Sequence, residues 1–314
     1  MHELVLSPSE KTILAVDIGS NAMRASMACL DQTNDLEILS TMRFSLRLGE
    51  DVFRTKKISK KKIQKTIEAF EDLRDLNKKF KFKKVKIVAT SAIRNAENGP
   101  LLVEKVKKET GLDIEIISGK KEAEYIQLAV ANVMNLSQSR TLLIDIGGGS
   151  TEITLCDNNK IVFTKSYSCG TVRLLESGHF KKQKELIKDF VDEASSDFKI
   201  YLKKKPIDLC IGTGGNLRRM GKLRKIFFKR SNLKVTHTEL SAILDEIQSF
   251  SIEQRMDYLD MREDRADVII PATKIIEEIL FQFGISEIHL PKVGLKEGLI
   301  LSSLDKKPRN LFFS

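Results

Sequence analysis

A strand, an aspartate and a glycine-rich turn occur twice in this chain in the same order. The segments AVDIGSNAMRASM, from Ala15, and LIDIGGGSTEITL, from Leu143, each have an apolar strand, then Asp-Ile-Gly, a turn and a second strand. Such a repeat indicates two halves of related fold that face each other. Chance similarity between two strand–turn segments is the alternative interpretation.

The rest of the chain alternates between strand-like and helix-like segments, which is typical of an α/β protein. Apolar residues at helical spacing predict helices over 59–80, 97–110, 119–134, 185–202, 238–248 and 264–284. Short apolar runs predict strands over 12–16, 23–30, 36–44, 85–90, 113–117, 142–146, 151–156, 161–168, 207–211 and 287–290. The length of 314 residues favours two domains. We predict domains over 1–120 and 121–297, with a C-terminal helix at about 298–314 that returns to the first.

Glycine-rich turns follow three of the predicted strands. They contain Gly19, Ser20 and Asn21; Gly147, Gly148, Gly149 and Ser150; and Gly212, Thr213, Gly214 and Gly215. Glycine lets backbone amides approach an anion closely, and successive amides form an anion-binding nest. The three turns therefore predict phosphate binding. The chain has no G-x-x-x-x-G-K-[ST] motif and no G-x-G-x-x-G after the first strand, which disfavours P-loop and dinucleotide-binding enzymes.

Carboxylates lie beside two of these turns. Asp17 and Asp145 end their strands, and Glu152 follows the second turn. Because carboxylates repel a phosphate unless a divalent cation lies between them, the pattern predicts Mg²⁺ at Asp145, Glu152 and Asp17. The alternative is that Asp17 and Asp145 only cap their turns.

The excess of basic residues favours a polyanionic partner. Lysine and arginine number 53 against 43 acidic residues, a formal charge of +10. This charge fits polyphosphate, nucleic acid or an anionic membrane, and a lysine-rich solvated surface explains it equally well. The densest basic run, residues 218–230, predicts substrate contact, whereas lysines on other helices fit solvated faces.

The four cysteines show no Cys-x-x-Cys spacing, which indicates free thiols in a reducing compartment. No apolar run approaches the roughly 20 residues of a membrane helix. We therefore expect a cytoplasmic protein that does not bind a membrane.

Seven segments, in order and spread over most of the chain, are similar to segments of Ppx/GppA phosphatases. They are ATSAIRNAENG (from Ala89), ISGKKEAEYI (from Ile117), LIDIGGGSTE (from Leu143), SCGTVRLLE (from Ser168), IGTGGN (from Ile211), RADVIIPA (from Arg265) and GLKEGLI (from Gly294). The resemblance implies two actin-like (ribonuclease H-like) domains with an active-site cleft between them. It also implies Mg²⁺-dependent hydrolysis of the terminal phosphoryl group of polyphosphate or guanosine pentaphosphate (pppGpp).

The resemblance also implies roles for single residues. Glu122 matches the catalytic glutamate of the family, which orients or deprotonates the attacking water. Asp145 and Glu152 match acidic residues associated with metal and water, and Arg94 matches an arginine that stabilises charge on the transferred group. The alternative for Arg94 is a surface ion pair.

Departures from the family pattern, at Ala22, Lys121, Asn216 and Ala272, leave room for a changed substrate or weak activity. Ala22 stands where the family has a hydroxyl residue, and Lys121 replaces the first of two glutamates. None of the four histidines is followed by aspartate, so the His-Asp domain of longer relatives is not expected.

We rank polyphosphate above pppGpp as substrate because the chain is basic and short. The alternatives are a kinase or ATPase of the same superfamily, a weakly catalytic sensor of guanosine polyphosphates or polyphosphate, and a nucleic-acid-binding module. The last is disfavoured because the chain has no recognised motif and few aromatic residues for base stacking. A homodimer is a common arrangement, although no segment specifies one.

Overall fold

Two six-stranded mixed sheets form the frame of the fold. The computed structural model describes residues 11–30, 36–203, 205–304 and 311–312. The chain divides into unit 1, residues 1–118 with 295–314, and unit 2, residues 119–294. The predicted α/β class is confirmed. The division into domains over 1–120 and 121–297 stays a prediction.

Unit 1 contains the first sheet and the helices that cover it. Its strands are β1 (Lys11–Ile18), β2 (Met23–Leu30), β3 (Leu36–Phe44), β4 (Lys84–Ala89), β5 (Glu115–Ile116) and β12 (Leu311–Phe312). Its helices are α1 (Leu48–Thr55), α2 (Lys60–Phe80), α3 (Ser91–Asn95), α4 (Gly99–Thr110) and α13 (Leu295–Ser302). The last of these, α13, packs on β1 and β2.

Unit 2 contains the second sheet. Its strands are β6 (Arg140–Ile146), β7 (Thr151–Asp157), β8 (Lys160–Tyr167), β9 (Leu209–Thr213), β10 (Lys234–Thr236) and β11 (Glu287–His289). Its helices are α5 (Gly119–Val133), α6 (Thr171–Glu176), α7 (Phe180–Leu202), α8 (Gly214–Phe228), α9 (His237–Ser249), α10 (Ile252–Leu259), α11 (Glu263–Ala266) and α12 (Ile269–Gln282).

The two sheets share the topology of five strands and differ in the position of the sixth. In unit 1 the order is β12-β3-β2-β1-β4-β5, and in unit 2, read in the matching direction, it is β8-β7-β6-β9-β11-β10. In both, the first three strands form an antiparallel meander, and the fourth pairs in parallel with the first. The repeated sequence pattern thus corresponds to a repeated fold.

The helices follow the sequence signals where those signals are local. Helix α2 begins after Ser59, whose side chain accepts a hydrogen bond from the backbone N–H of Lys62, and its apolar side chains are buried against the sheet. Helix α4 ends at Gly111, which adopts the left-handed conformation. Each unit has its own core of buried aliphatic and aromatic side chains.

Several elements differ from the sequence prediction. The turn predicted at 212–216 is wrong, because β9 pairs with β6 through Thr213 and α8 begins at the next residue. The helix predicted over 264–284 is interrupted between α11 and α12. The sequence patterns also did not predict the short helices α1, α3, α6 and α10, the longer helix α8, or the edge strands β10 and β12.

All four cysteines are free and buried, as the sequence indicated. Burial raises the pKa of Cys156 and of Cys169 to about 12, so neither forms a reactive thiolate at neutral pH. Within the residues that the structure describes, no helix is both long enough and apolar enough to cross a membrane.

A buried ion pair fixes α8 to α9. Arg224 donates to Glu239 twice, with Nε–Oε2 2.7 Å and Nη2–Oε1 3.0 Å, and Arg230 donates to the same carboxylate at 2.9 Å. Arg224 and Glu239 are both buried. The predicted contact of the basic run with substrate is therefore wrong for Arg224, whose charge serves the fold.

The Arg224–Glu239 pair predicts a pH dependence of stability. Burial would raise the pKa of Glu239, but hydrogen bonds from Arg224, Thr236 and Arg230 hold it below its ordinary value of 4.5. A lowered carboxyl pKa adds stability that is present above the unfolded value and lost as pH falls through the folded one. We expect Glu239→Gln to lower the free energy of unfolding at pH 7 by about 2–3 kcal/mol, the range for losing a charged hydrogen-bond partner.

Urea denaturation of both proteins from pH 7 to pH 3 measures this effect. The difference between wild type and Glu239→Gln should shrink as the pH falls below 4.5. Glu246→Gln, on the exposed face of the same helix, should change stability by less than about 0.5 kcal/mol. A difference for Glu239→Gln that stays constant with pH would contradict the account.

Helix α6 holds the second glycine-rich turn, over residues 147–150, by hydrogen bonds to the carbonyls of the turn. The backbone N–H groups of Thr171 and Val172 donate to the carbonyls of Gly147 (3.1 Å) and Gly148 (2.8 Å). The Arg173 side chain donates to the carbonyl of Gly149 at 2.9 Å. Because a trans peptide directs its C=O and the following N–H to opposite sides, the N–H groups of residues 148–150 point away from α6.

Gly170 lets α6 approach this turn. A Cβ at Gly170 would lie 2.5 Å from Gly149 C and 2.5 Å from Ser150 N, both backbone atoms. We expect Gly170→Ala to lower the free energy of unfolding by about 1–3 kcal/mol, as for other overpacked sites. Gly221→Ala is the control, because its Cβ would meet only Leu290 Cδ1 at 3.9 Å, and it should stabilise α8 by up to about 1 kcal/mol. Urea denaturation compares them, and a Gly170→Ala protein as stable as wild type would contradict the packing argument.

Candidate metal and phosphate site

Four polar side chains form a row across the sheet of unit 2. Thr213 pairs with Asp145 across β9 and β6, Asp145 with Glu152 across β6 and β7, and Glu152 with Ser166 across β7 and β8. Residues directly opposite each other on neighbouring strands point to the same face of a sheet. Two carboxylates therefore lie side by side, with a hydroxyl residue at each end of the row.

Each hydroxyl donates to the neighbouring carboxylate. Thr213 Oγ1 lies 2.5 Å from Asp145 Oδ1, and Ser166 Oγ lies 2.6 Å from Glu152 Oε1. Hydrogen bonds to an ionised carboxylate are short and strong. They fix the direction in which each carboxylate points.

Helix α5 adds a third carboxylate. Glu122 is the fourth residue of α5, which packs on β7 and β8. Ligand oxygens of Glu122, Asp145 and Glu152 all lie within 4.8 Å of one another. Glu122 and Glu152 are buried and Asp145 is half-buried. The structure thus brings Glu122, from the segment ISGKKEAEYI, together with Asp145 and Glu152 from the segment LIDIGGGSTE.

The donor set of this cluster fits a hard divalent cation. Three like charges at this separation repel one another strongly in a partly buried site, and a divalent cation removes that repulsion. The cluster contains carboxylates and neither histidine nor cysteine, a set that suits Mg²⁺, Mn²⁺ or Ca²⁺ better than zinc or copper. The acidic cluster can therefore hold a metal ion, while Mg²⁺ itself stays a prediction.

The turn over residues 147–150 connects the two central strands of the row. It is closed by a hydrogen bond from Gly147 N–H to Ser150 O at 3.0 Å, and its carbonyls are bonded by α6 and Arg173. Its N–H groups at residues 148–150 point away from α6, and successive backbone amides in a turn are suited to bind phosphate oxygens. The carboxylates and these amides are adjacent in sequence and on the sheet.

The equivalent turn in unit 1 has the same backbone geometry. Gly19 N–H donates to Ala22 O at 3.1 Å, and the N–H groups of Arg47 and Gly49 donate to the carbonyls of Asn21 (2.9 Å) and Ser20 (2.8 Å). The start of α1 thus holds this turn as α6 holds the other. The backbone of this turn is therefore held in the same way as that of unit 2. Phosphate contacts of Gly19, Ser20 and Asn21 stay a prediction.

The row of unit 1 has a different charge. Asp17 pairs across β1 and β2 with Arg24, which occupies the position that Glu152 has in unit 2. Arg24 Nη1 lies 3.3 Å from Asp17 Oδ2. Asp17 therefore has a protein cation beside it, and its role as a metal ligand stays a prediction. Arg94, at the end of α3, donates to the carbonyl of Ile117 at 2.8 Å.

The third glycine-rich segment forms a strand end and a helix start. Gly212 and Thr213 end β9, and Gly214 and Gly215 begin α8. The Thr213 hydroxyl, which the sequence assigned to phosphate, is bonded to Asp145. The helix N-terminus beside Asp145 remains suited to an anion, because its first N–H groups have no partner within the helix.

Lys121 and Ala22, two of the departures from the family pattern, lie in different environments. Lys121 is exposed on α5 and forms an ion pair with Glu124 at 3.0 Å, which favours the interpretation that it faces solvent. Ala22 is buried, and its carbonyl closes the turn of unit 1.

Two residues of the site were missed by sequence reasoning. Ser166 carries the hydroxyl beside Glu152, and Arg173 holds Gly149 through its side chain. Arg173 belongs to the segment SCGTVRLLE, so its place in a matched motif was a usable signal. Ser166 carried no such signal.

Comparison with known proteins identifies relatives of this chain. The profile of the Ppx/GppA phosphatase family matches residues 28–307. The chain is 25% identical to exopolyphosphatase 1 of Mycobacterium tuberculosis, with 93% of this chain and 88% of that protein covered. It is 29% identical to the bifunctional 3-dehydroquinate synthase/phosphatase of Fusobacterium nucleatum, of which it spans 46%, with 93% of its own length aligned.

A third relative and two solved structures complete the comparison. The chain is 25% identical to the guanosine-5'-triphosphate,3'-diphosphate pyrophosphatase of Vibrio campbellii, with 94% of this chain and 60% of that protein covered. It superposes on the Ppx/GppA family member of Aquifex aeolicus with a TM-score of 0.76 and 26% identity, covering 93% and 97% of the two chains. The exopolyphosphatase structure from Cytophaga hutchinsonii shares the fold, with a TM-score of 0.85 and 21% identity over 94% and 98% of the two chains.

The family profile covers most of the chain, and the fold agrees with that of the Aquifex aeolicus family member. This chain belongs to the Ppx/GppA phosphatase family.

Proposed function

We propose that this protein is an exopolyphosphatase that releases the terminal phosphate of inorganic polyphosphate by metal-assisted attack of water. The observation that carries the proposal is the cluster of Glu122, Asp145 and Glu152 beside the turn over 147–150. Family membership and the name of the Mycobacterium tuberculosis relative support phosphoric anhydride hydrolysis.

Backbone amides bind the terminal phosphate in this proposal. The N–H groups of Gly148, Gly149 and Ser150 point away from α6 and donate to phosphoryl oxygens. The carbonyls of the three preceding peptide groups, those of residues 147–149, accept hydrogen bonds from α6, so the amides are oriented before substrate binds. Such preorganised donors stabilise charge without reorganising during the reaction.

Asp145 and Glu152 would hold Mg²⁺ at the edge of this turn in this proposal, and the assignment of Asp17 as a further ligand stays a prediction. The bound ion would neutralise negative charge on the phosphoryl oxygens, so that a polyanionic substrate can approach three carboxylates. Arg94 adds a positive charge for the transferred group. These roles extend the family resemblance to the matching positions of this chain.

Glu122 is the general base of the proposed reaction. A carboxylate oxygen of Glu122 accepts a proton from a water molecule as the water oxygen forms a bond to the terminal phosphorus. The bond between that phosphorus and the bridging oxygen breaks, and the bridging oxygen leaves with its electron pair on the shortened chain. The products are orthophosphate and a polyphosphate one unit shorter.

The alternative substrate is pppGpp. The similarity to the Vibrio campbellii enzyme, named for a guanosine triphosphate-diphosphate, favours it. Polyphosphate ranks first because the formal charge of +10 suits a long polyanion. A cytoplasmic location, a homodimer and a site in a cleft between two domains stay predictions.

Phosphate release tests the proposal. Purified protein with Mg²⁺ is given long-chain polyphosphate, pppGpp and ATP in parallel. We expect release from polyphosphate and, more slowly, from pppGpp, and a fall of about 10²–10⁴-fold for Glu122→Gln, the usual contribution of a general base. Glu124→Gln, two residues along α5 and paired with Lys121, is the matched control and should keep wild-type activity.

Two outcomes would contradict the proposal. Faster release from ATP would indicate a nucleotide hydrolase instead. Absence of release from every substrate, with ligand binding retained, would indicate a sensor of polyphosphate or guanosine polyphosphates.

Removal of divalent cations is a second test. Dialysis against EDTA should abolish phosphate release, because the substrate then approaches three carboxylates with no divalent cation between them and its phosphoryl oxygens. Added Mg²⁺ should restore activity, and the restored rate as a function of Mg²⁺ concentration measures the site's affinity. Full activity after complete chelation would rule out the metal-assisted reaction.

A further inference from the structure

In the row of four residues in unit 2, the carboxylates and the hydroxyls occupy different positions. The carboxylates of Asp145 and Glu152 occupy the two middle positions, and the hydroxyls of Thr213 and Ser166 occupy the ends. Each hydroxyl donates to the carboxylate on its own side, at 2.5 Å and 2.6 Å. Both middle residues are thus held by a hydroxyl on the adjacent strand.

We propose that Ser166 and Thr213 are positioning residues that set the direction of the two metal-binding carboxylates through these hydrogen bonds. The proposal rests on the proposed function only in so far as Asp145 and Glu152 bind a divalent cation. Residues that bond a metal ligand fix its orientation, and their loss typically weakens metal affinity 10–100-fold.

Ser166 has a second contact that links it to Glu122. Gly119, the first residue of α5, lies directly on Ser166: a Cβ at Gly119 would be 2.3 Å from Ser166 Cβ and 2.7 Å from Ser166 Oγ. Glu122 follows three residues later on the same helix. Ser166 therefore contacts both the Glu152 carboxylate and the start of the helix that carries Glu122. Its position fixes where the carboxylate of Glu152 lies relative to that of Glu122.

A neighbouring pair of hydroxyls on the same two strands provides a matched control. Thr154 Oγ1 and Thr164 Oγ1 lie 2.7 Å apart, and these residues pair directly across β7 and β8. Thr164 is two residues before Ser166, so its side chain lies on the same face of β8. Its hydroxyl pairs with another hydroxyl and with no carboxylate of the cluster.

Binding of Mn²⁺ to the full chain without substrate tests the proposal. The electron paramagnetic resonance signal of free Mn²⁺ is measured during titration of wild type, Ser166→Ala, Thr213→Val and Thr164→Val. We expect Ser166→Ala and Thr213→Val to bind Mn²⁺ about 10–100-fold more weakly, and Thr164→Val to bind like wild type. Circular dichroism and thermal melting confirm that each variant is folded, and the two test variants lie on different strands.

The Mg²⁺ dependence of phosphate release separates positioning from a general structural defect. For Ser166→Ala and Thr213→Val we expect the Mg²⁺ concentration for half-maximal activity to rise by the same 10–100-fold, with recovery at saturating Mg²⁺. A damaged fold would lower the maximal rate and would not recover with metal.

The outcomes distinguish this inference from the proposed function. Folded Ser166→Ala and Thr213→Val proteins that bind Mn²⁺ as tightly as wild type would overturn the positioning role and leave the hydrolase intact. A wild-type protein that binds Mn²⁺ but releases no phosphate would overturn the hydrolase, while weaker binding by the variants would still support positioning. A wild-type protein that binds no Mn²⁺ would overturn both.

Discussion

The register between β6 and β7 is the constraint on which the site depends. It places Asp145 directly opposite Glu152, so two negative charges face each other across neighbouring strands. Like charges in that arrangement destabilise a sheet. The surrounding residues respond to this repulsion with hydrogen bonds, since a hydroxyl donates to each carboxylate from the neighbouring strand. The turn over 147–150 directs its amides away from α6, and α5 brings Glu122 to the same place. A bound divalent cation would offset the repulsion between the two carboxylates.

The two copies of the repeated fold carry different charges at equivalent positions. Both units have an aspartate before the turn, a turn closed in the same way, and a following helix start that bonds the turn's carbonyls. Seven residues after the aspartate, unit 1 has Arg24 and unit 2 has Glu152. The first aspartate is therefore neutralised by the protein, whereas the second is left in an acidic cluster. The two halves thus differ in charge at this position of the repeat.

Much of the fold and the acidic cluster could be predicted from sequence, because those signals are local. The Asp-Ile-Gly turns, the Ser59 cap and the Gly111 stop each act within a few residues. Ser166 could not be predicted. Counting back from the turn that pairs Asp157 with Lys160 would place Lys165 opposite Glu152, but the register shifts between Leu155 and Cys156 and brings Ser166 there. Arg224 was misjudged for a similar reason, since only packing of α8 on α9 reveals Glu239 as its partner.

Anomalous scattering from crystals grown with Mn²⁺ would test whether Asp145 and Glu152 bind one divalent cation near Glu122. We expect one strong peak at about 2.1 Å from an oxygen of Asp145 and an oxygen of Glu152, the distance typical of a small hard cation. Strong Mn²⁺ peaks elsewhere, with none between these two carboxylates, would contradict it.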